Sequence, residues 1–68
     1  MKIVVNGDPV DLPEGATVRN VVELFRDARD GRGLAVALNA EVVHRGAWDA
    51  TPLADDDRVE VLSAIGGG

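Results

Sequence analysis

The alternation of apolar and polar residues predicts strands near both ends of the chain. Residues 2–6 are rich in β-branched side chains, and the Asn6-Gly7 dipeptide at their end is a strong hairpin signal because both residues tolerate positive φ angles. A short second strand is expected over residues 10–12, where apolar residues flank an acid. Pro9 and Pro13 bracket this segment, which favours a position at the edge of a sheet.

A helix is predicted from about residue 18 to residue 29, with Thr17 as its N-cap. Apolar residues recur there at helical spacing, whereas charged residues occupy the opposite face. The apolar stripe consists of Val18, Val21, Phe25 and Ala28, flanked by Val22 and Leu24. Gly31 and Gly33 are expected to end the helix, since glycine is the usual residue just beyond a helix C-terminus.

The second half of the chain predicts three more strands. Residues 34–38 are all apolar, which is typical of a strand covered on both faces or of a short core segment. Residues 42–44 are expected to form the fourth strand, residues 46–51 an irregular segment, and residues 58–63 the fifth strand. Trp48, the only tryptophan, is expected to be a core or lid residue.

One helix with a single apolar stripe can cover one face of one sheet. The predicted fold class is therefore α+β, a mixed sheet of four to five strands with one helix packed on one face. The natural inward-facing sets in the first and last strands are Ile3 with Val5 and Val59 with Val61. Val4 and Leu62 then fall on the other face, and together with Ile65 they are candidate residues for docking a partner.

Composition restricts the chain to one small globular unit. A length of 68 residues, 46% of them apolar, allows a single core. We expect one domain over residues 1–65 and a flexible tail at residues 66–68. The net charge of −5 argues against a nucleic-acid partner and favours a basic protein surface. With no signal-peptide pattern and no apolar run of membrane-spanning length, a cytoplasmic protein without a membrane partner is expected.

The final glycines, Gly66, Gly67 and Gly68, are the most informative feature for function. They bury no side chain, but they can enter a passage too narrow for any Cβ atom. Fully extended, they reach roughly 10 Å and carry an α-carboxylate at the tip. Glycine tails are often frayed ends or linkers, yet this one closely follows the strand-like residues 58–62. We interpret the domain as a handle that presents this carboxylate to another protein.

Other candidate chemistry is weak. His44 is the only histidine and the chain has no cysteine, so neither a metal site nor a catalytic residue is expected. Asp55, Asp56 and Asp57 lack the ligand spacing of a calcium loop and predict a solvated turn. The Gly-Arg-Gly segment at residues 31–33 is not a phosphate loop, because no strand leads into it and no Lys-Ser/Thr follows.

These motifs, taken in order, resemble the ThiS family, the ubiquitin-like β-grasp sulfur carriers of bacterial thiamine biosynthesis. The matching segments span the whole chain and are residues 1–7, 15–18, 36–39, 42–43, Arg45 with Trp48, 57–61 and the terminal glycines. Two departures are present. The turn before the last strand usually carries Gly-Asp, where this chain has Asp56-Asp57, and the family ends in two glycines, to which Gly66 adds a third.

The resemblance implies a carrier protein, not an enzyme, whose covalent site is the carboxylate of Gly68, with Gly66 and Gly67 as the flexible tail. A ThiF-like partner would adenylate this carboxylate using ATP and Mg²⁺, and sulfur from a persulfide donor would displace AMP to leave a thiocarboxylate. Thiazole synthase, a ThiG-like enzyme, would then take the sulfur. The chain itself would bind no cofactor and would be a monomer when free.

Three alternatives stay open at this point. The small subunit of molybdopterin synthase has the same fold and terminal chemistry, but proline usually precedes its glycines, where this chain has Ile65. A ubiquitin-like modifier would form isopeptide bonds with target lysines; with Lys2 as its only lysine, this chain is poorly suited to forming polymers of itself. The remaining alternative is a β-grasp interaction module with an inert tail.

Overall fold

A five-stranded mixed sheet with one α-helix on one face is the architecture of the computed structural model, which describes residues 1–25 and 33–63. In chain order the elements are β1 Lys2–Val5, β2 Asp8–Asp11, α1 Val18–Val22, β3 Leu34–Leu38, β4 Glu41–Val43, a 3₁₀ helix at Arg45–Ala50, and β5 Arg58–Ser63. The strand order is β2-β1-β5-β3-β4. The predicted α+β class and the single helix-covered face are confirmed.

β5, the last strand in sequence, lies at the centre of the sheet. It runs parallel to β1, with Val5 opposite Val59, and antiparallel to β3, with Val36 opposite Val61. All other strand pairs are antiparallel. The two halves of the sheet are therefore joined by a pairing between residues more than fifty positions apart, which no local turn could specify.

The core lies between the sheet and α1 and is built mainly from valine. The predicted inward sets are confirmed, because Ile3, Val5, Val59 and Val61 are all buried. They pack with the remaining members of the core cluster, Val18, Val21, Val22, Val36, Trp48 and Leu53. Each fully buried valine stabilises the fold by about 1.5–3 kcal/mol relative to an exposed one.

The β1–β2 hairpin has the predicted Asn6-Gly7 turn, with φ angles of 49° and 87°. β2, however, starts at Asp8 rather than at residue 10, and it includes Pro9, opposite Val4. The prediction that Pro9 precedes the strand was therefore wrong. A proline is tolerated here because β2 is an edge strand, where a missing N–H need not interrupt the ladder.

α1 is shorter than the sequence pattern predicts. It starts after Thr17, as expected, and the side-chain oxygen of Asn20 accepts a hydrogen bond from the Thr17 N–H at 2.8 Å. After Val22 the chain leaves the α-helix, and Leu24 and Phe25 make i→i−3 hydrogen bonds instead. A helix held by packing rather than by propensity commonly tightens in this way at its end.

The side chains after α1 depart from the predicted stripe at one position. Phe25 is half-buried against the core, but Leu24 is 53% exposed and does not flank the buried stripe. The predicted helical residues 26–29, with Ala28, and the expected glycine stop at Gly31 lie outside the described residues.

The segment after β4 is ordered rather than irregular. β4 spans Glu41–Val43, one residue earlier than predicted, and the 3₁₀ helix that follows places Trp48 in the core at 1% exposure. The Trp48 indole N–H donates to the carbonyl of Val43 at 2.8 Å. Arg19 of α1 stacks over the Trp48 ring at 5.5 Å and pairs with Asp49 at 3.3 Å. The 3₁₀ helix thereby closes one side of the core beneath α1.

The acidic turn before β5 is a structural device as well as a solvated turn. The Asp57 carboxylate accepts hydrogen bonds from the Ala54 N–H at 2.8 Å and from the Asn39 side chain at 3.0 Å. The Asp55 carboxylate accepts from the Lys2 N–H at 2.8 Å. Between them, Asp56 has a φ of 71°, in the left-handed region that favours glycine. Asp56 therefore occupies the position where the resembling family usually has glycine, and its backbone conformation is one that glycine adopts more easily.

Replacing Asp56 with glycine is expected to raise the free energy of unfolding by about 0.5–1 kcal/mol, because glycine adopts the left-handed conformation without Cβ strain. Denaturant unfolding followed by circular dichroism measures the change. Asp57→Gly is the matched control and should lower stability by about 1–2 kcal/mol, since it removes both carboxylate hydrogen bonds. An Asp56→Gly variant less stable than the parent would contradict the strain at residue 56.

Candidate functional site

β5 leads directly into the carboxyl-terminal segment, and it is the best-anchored strand of the sheet. Its neighbours β1 and β3 hydrogen-bond to it from both sides, and Val59 and Val61 fix it to the core. The predicted site residues Ile65, Gly66, Gly67 and Gly68 lie outside the described residues. The segment that carries them therefore starts from a rigid base, the carboxyl end of β5 at Ser63.

The outer face, which is the face of the sheet opposite α1, carries an apolar patch near the end of β5. Leu62 is 64% exposed and lies opposite Ala35 of β3, which is also exposed. Val42 of β4 is 70% exposed and lies opposite Ala37. Directly opposed residues on adjacent strands share one face of a sheet. We call these four residues, Leu62, Ala35, Val42 and Ala37, the outer patch.

The exposure of Ala35 corrects an expectation about β3. Its uninterrupted apolar sequence suggested a strand covered on both faces or lying in the core, but only Val36 is fully buried in it. The outward positions are alanines, whose small side chains leave little apolar surface in water. The sequence shows no alternation of apolar and polar residues here, because the inward face is buried in the core and the outward face carries alanine.

Val4, the other predicted docking residue in the described ranges, lies on the outer face but away from Leu62. It sits opposite Arg58, four residues before Leu62 along β5, or roughly 13 Å at the rise of a strand. Val4 is half-buried and lines a groove of about 510 Å³ together with Arg58, Glu60 and the β3–β4 turn at Asn39 and Ala40. The structure thus links Leu62 to Val42 through Ala35 and Ala37 of β3, whereas Arg58 and Glu60 occupy the outer face of β5 between Leu62 and Val4.

Sequence reasoning missed Val42 and Ala35 as members of the outer patch. Val42 lies in a strand too short to show an alternation, and its exposure follows from its place on the outer face, since Val43 of the same strand is half-buried against the core. The register of β3 between β4 and β5 brings Ala35 beside Leu62 and Val42 beside Ala37 on the same face. Predicting that these residues belong to the outer patch would have required knowledge of the antiparallel pairing of β3 with β5, which the sequence does not specify.

Charged residues border the outer patch but form no metal site within residues 1–25 and 33–63. Glu60 lies opposite Ala37 on the outer face, so its carboxylate flanks the apolar side chains, whereas Glu41 lies opposite Leu38 on the face that carries α1. In those ranges no three histidine or carboxylate groups are arranged to hold a metal ion. His44 is exposed at the start of the 3₁₀ helix. In the same ranges, no helix combines the length and hydropathy needed to cross a membrane.

Comparison with known proteins identifies the family. The chain matches the ThiS family over residues 3–68. It is 38% identical to a thiazole synthase of Magnetococcus marinus and 33% identical to a thiazole synthase of Paramagnetospirillum magneticum, in both cases over all 68 residues. The chain spans 20% of the length of each of these relatives.

Two solved structures share the whole fold. The crystal structure of the thiamine biosynthesis protein ThiS from Geobacter metallireducens is 37% identical, covers all of both chains and superposes with a TM-score of 0.79. An NMR structure of a thiamine biosynthesis protein from the same organism is 40% identical, with a TM-score of 0.78 over all of this chain and 88% of the other. Sequence match and superposition agree, and the chain belongs to the ThiS family of β-grasp proteins.

Proposed function

We propose that this protein is a sulfur carrier whose carboxyl-terminal Gly68 is converted to a thiocarboxylate that supplies sulfur for thiazole formation in thiamine biosynthesis. The observation that supports this most directly is the family match, which extends over the terminal glycines to residue 68. The fold adds a physical reason, since the segment that carries Gly68 follows the central strand of the sheet. In this proposal the chain is a covalent co-substrate, not a catalyst.

Activation must precede sulfur transfer, because a carboxylate is a poor electrophile. In the proposed first step a Gly68 carboxylate oxygen attacks the α-phosphorus of ATP on a ThiF-like enzyme, forming a P–O bond and releasing pyrophosphate. A persulfide sulfur from the donor pathway then attacks the acyl carbon and AMP leaves. Reductive cleavage of the resulting acyl disulfide by a thiol leaves the thiocarboxylate. The enzyme supplies Mg²⁺ and the phosphate contacts, and this chain supplies the positioned acyl group.

The proposed acceptor of the sulfur is a thiazole synthase. Two relatives of that name match this chain over all 68 residues, which is one fifth of their own length. The similarity of this chain to a segment of those thiazole synthases supports such an enzyme as its partner. We further propose that residues 1–65 form the folded domain and that residues 66–68 form the tail that enters both partner sites in turn. The proposed location of the protein is the cytoplasm.

Intact mass spectrometry tests the proposal. The protein is incubated with a ThiF-like enzyme, ATP, Mg²⁺, a persulfide donor and a thiol reductant. The expected product differs from the starting protein by the replacement of one oxygen by sulfur, and omission of ATP should abolish it. Isopeptide adducts without a thiocarboxylate would instead indicate a protein modifier, and an unchanged mass with adenylating enzyme of proven activity would indicate an inert tail.

Growth complementation separates the two carrier pathways. In bacteria that lack their own carrier for thiamine, expression of this protein should restore growth without added thiazole. Restoration of molybdopterin synthesis alone would instead favour the small subunit of molybdopterin synthase. The thiazole synthase relatives are the reason to expect the first result.

Replacing Gly67 with valine is expected to lower the rate of adenylation about a hundredfold, because a β-branched residue stiffens the tail and adds bulk beside the reacting carboxylate. Pyrophosphate release in the presence of the ThiF-like enzyme measures the rate. Gly46→Val is the matched control, since Gly46 lies in the 3₁₀ helix with open space around its Cβ position. A normal rate of adenylation of the Gly67→Val variant would refute the idea that the tail enters an enzyme passage too narrow for a Cβ atom.

The outer patch is proposed as the docking surface for the activating enzyme, together with Ile65 beyond the described residues and with the side chain of Val4. The β3–β4 turn at Asn39 and Ala40, on the far side of the groove that Val4 lines, is not part of this surface. Leu62→Glu should raise the KM for this protein in adenylation about tenfold, because it places a charge where an apolar contact forms. Stability should change by less than about 0.5 kcal/mol, since Leu62 is already exposed.

Leu24→Glu is the matched control for that variant. Leu24 is 53% exposed but follows α1, on the other side of the sheet, and the substitution changes the net charge by the same amount. Its KM should equal that of the parent protein. Equal effects of the two substitutions would show that added negative charge, and not the outer patch, controls binding.

A further inference from the structure

β5 continues beyond β1, and one side chain takes over where the β1 backbone ends. The β1–β5 register stops at Val5 opposite Val59. The next residue, Asn6, turns away with a φ of 49°, although its N–H still donates to the Val59 carbonyl at 2.9 Å. The Val61 main chain, two residues further along β5, therefore faces a position that the β1 backbone no longer occupies.

The Asn6 side-chain amide fills this position. Its Oδ1 accepts from the Val61 N–H at 2.8 Å, and its Nδ2 donates to the Val61 carbonyl at 3.2 Å. The amide thus satisfies both main-chain groups of Val61, as a peptide of an extended β1 would. On the other side Val36 of β3 lies opposite Val61 in a pair without main-chain hydrogen bonds, because both groups of Val61 point toward Asn6.

Asparagine is the residue type that this position requires. The left-handed backbone at residue 6 favours glycine, asparagine or aspartate. Glycine has no side chain, and an aspartate carboxylate can accept from the Val61 N–H but cannot donate to its carbonyl. Among these residues, only asparagine combines the turn conformation with both hydrogen bonds.

From these contacts we propose that Asn6 is a positioning residue: its amide holds β5 at Val61 and so fixes the end of the strand from which the carboxyl-terminal glycines follow. The inference rests on the proposed carrier function. Leu62 and Ser63 are the last described residues, and without the Asn6 amide they would be tied to the sheet only through β3. A strand end held on one side can separate from the sheet, and its orientation must then be restored when the tail enters a partner.

The chain contains a matched control, Asn39. It also has a φ of 49°, and its side chain also makes two hydrogen bonds near β5, accepting from the Arg58 N–H at 2.9 Å and donating to Asp57 at 3.0 Å. Asn39 therefore holds the beginning of β5, whereas Asn6 holds it three residues nearer to the tail. Substitution of either asparagine by glycine keeps the turn and removes two side-chain hydrogen bonds.

The experiment compares Asn6→Gly, Asn39→Gly and the parent protein at a temperature where circular dichroism shows all three to be folded. Adenylation kinetics give KM and kcat, and amide hydrogen exchange by NMR gives protection along β5. For Asn6→Gly we expect a KM about tenfold higher with unchanged kcat, and exchange about tenfold faster at Val61, extending to Leu62, whose N–H faces β3. Asn39→Gly should lose protection at Arg58 and keep the parent KM.

Equal KM values for the two variants would overturn the proposal and leave Asn6 a structural residue like Asn39. If Asn6→Gly does not fold, Asn6→Asp replaces it, since the carboxylate keeps the hydrogen bond from the Val61 N–H and loses only the donated one. If the parent protein is not adenylated at all, the proposed function fails, and exchange decides separately: faster exchange at Leu62 in the Asn6 variant but not in Asn39→Gly supports the positioning role, and its absence overturns it.

Discussion

The pairing of β5 between β1 and β3 is the constraint on which the rest of the structure depends. It joins the last described strand to the first, and it places Val59 and Val61 at the centre of the core, under α1. A chain of this size buries only about 60% of its unfolded surface, so few contacts can be lost before it unfolds. The strand that leads to the proposed functional end is thus also the strand whose separation would disrupt the core most.

Polar side chains complete this pairing wherever the neighbouring backbone turns away. Asn6 extends the β1 side of β5, Asn39 completes the β3 side at Arg58, and Asp57 closes the turn that feeds the strand. Each of them combines a local conformation, a turn or a left-handed φ, with a hydrogen bond to a distant segment. Their replacement by residues that preserve only the local conformation would keep the turns and loosen the strand between them.

The strands with a strong local signal could be predicted from the sequence, and the features set by pairing could not. The alternation in Ile3–Val5 and Val59–Val61, the Asn6-Gly7 turn and the N-cap Thr17 are local, and the structure confirms them. The early end of α1, the inclusion of Pro9 in β2 and the exposure of Ala35 depend on which element lies alongside, so a periodicity could not reveal them.

The candidate site divides in the same way. The sequence identifies the terminal glycines by composition and Leu62 by the alternation along the last strand. Val42 joins Leu62 only through the register of β3, and Asn6 reaches Val61 across 55 positions in sequence. A reading of Asn6-Gly7 as a turn motif is correct, but it accounts only for the backbone of Asn6 and not for its amide.

The contacts of individual carboxylates show which acidic residues stabilise the fold and which remain available on its surface. Asp49 pairs with Arg19, and Asp55 and Asp57 accept backbone or side-chain N–H groups, so these three carboxylates serve the fold. Glu60 makes no such contact among the described residues, and it flanks the outer patch beside Ala37, whereas Glu41 lies on the face that carries α1. A net charge of −5 alone would suggest diffuse attraction to any basic protein. The placement of Glu60 instead favours a partner of the proposed carrier that sets a basic group at the edge of an apolar contact, with the charge guiding approach and the apolar contact holding the complex.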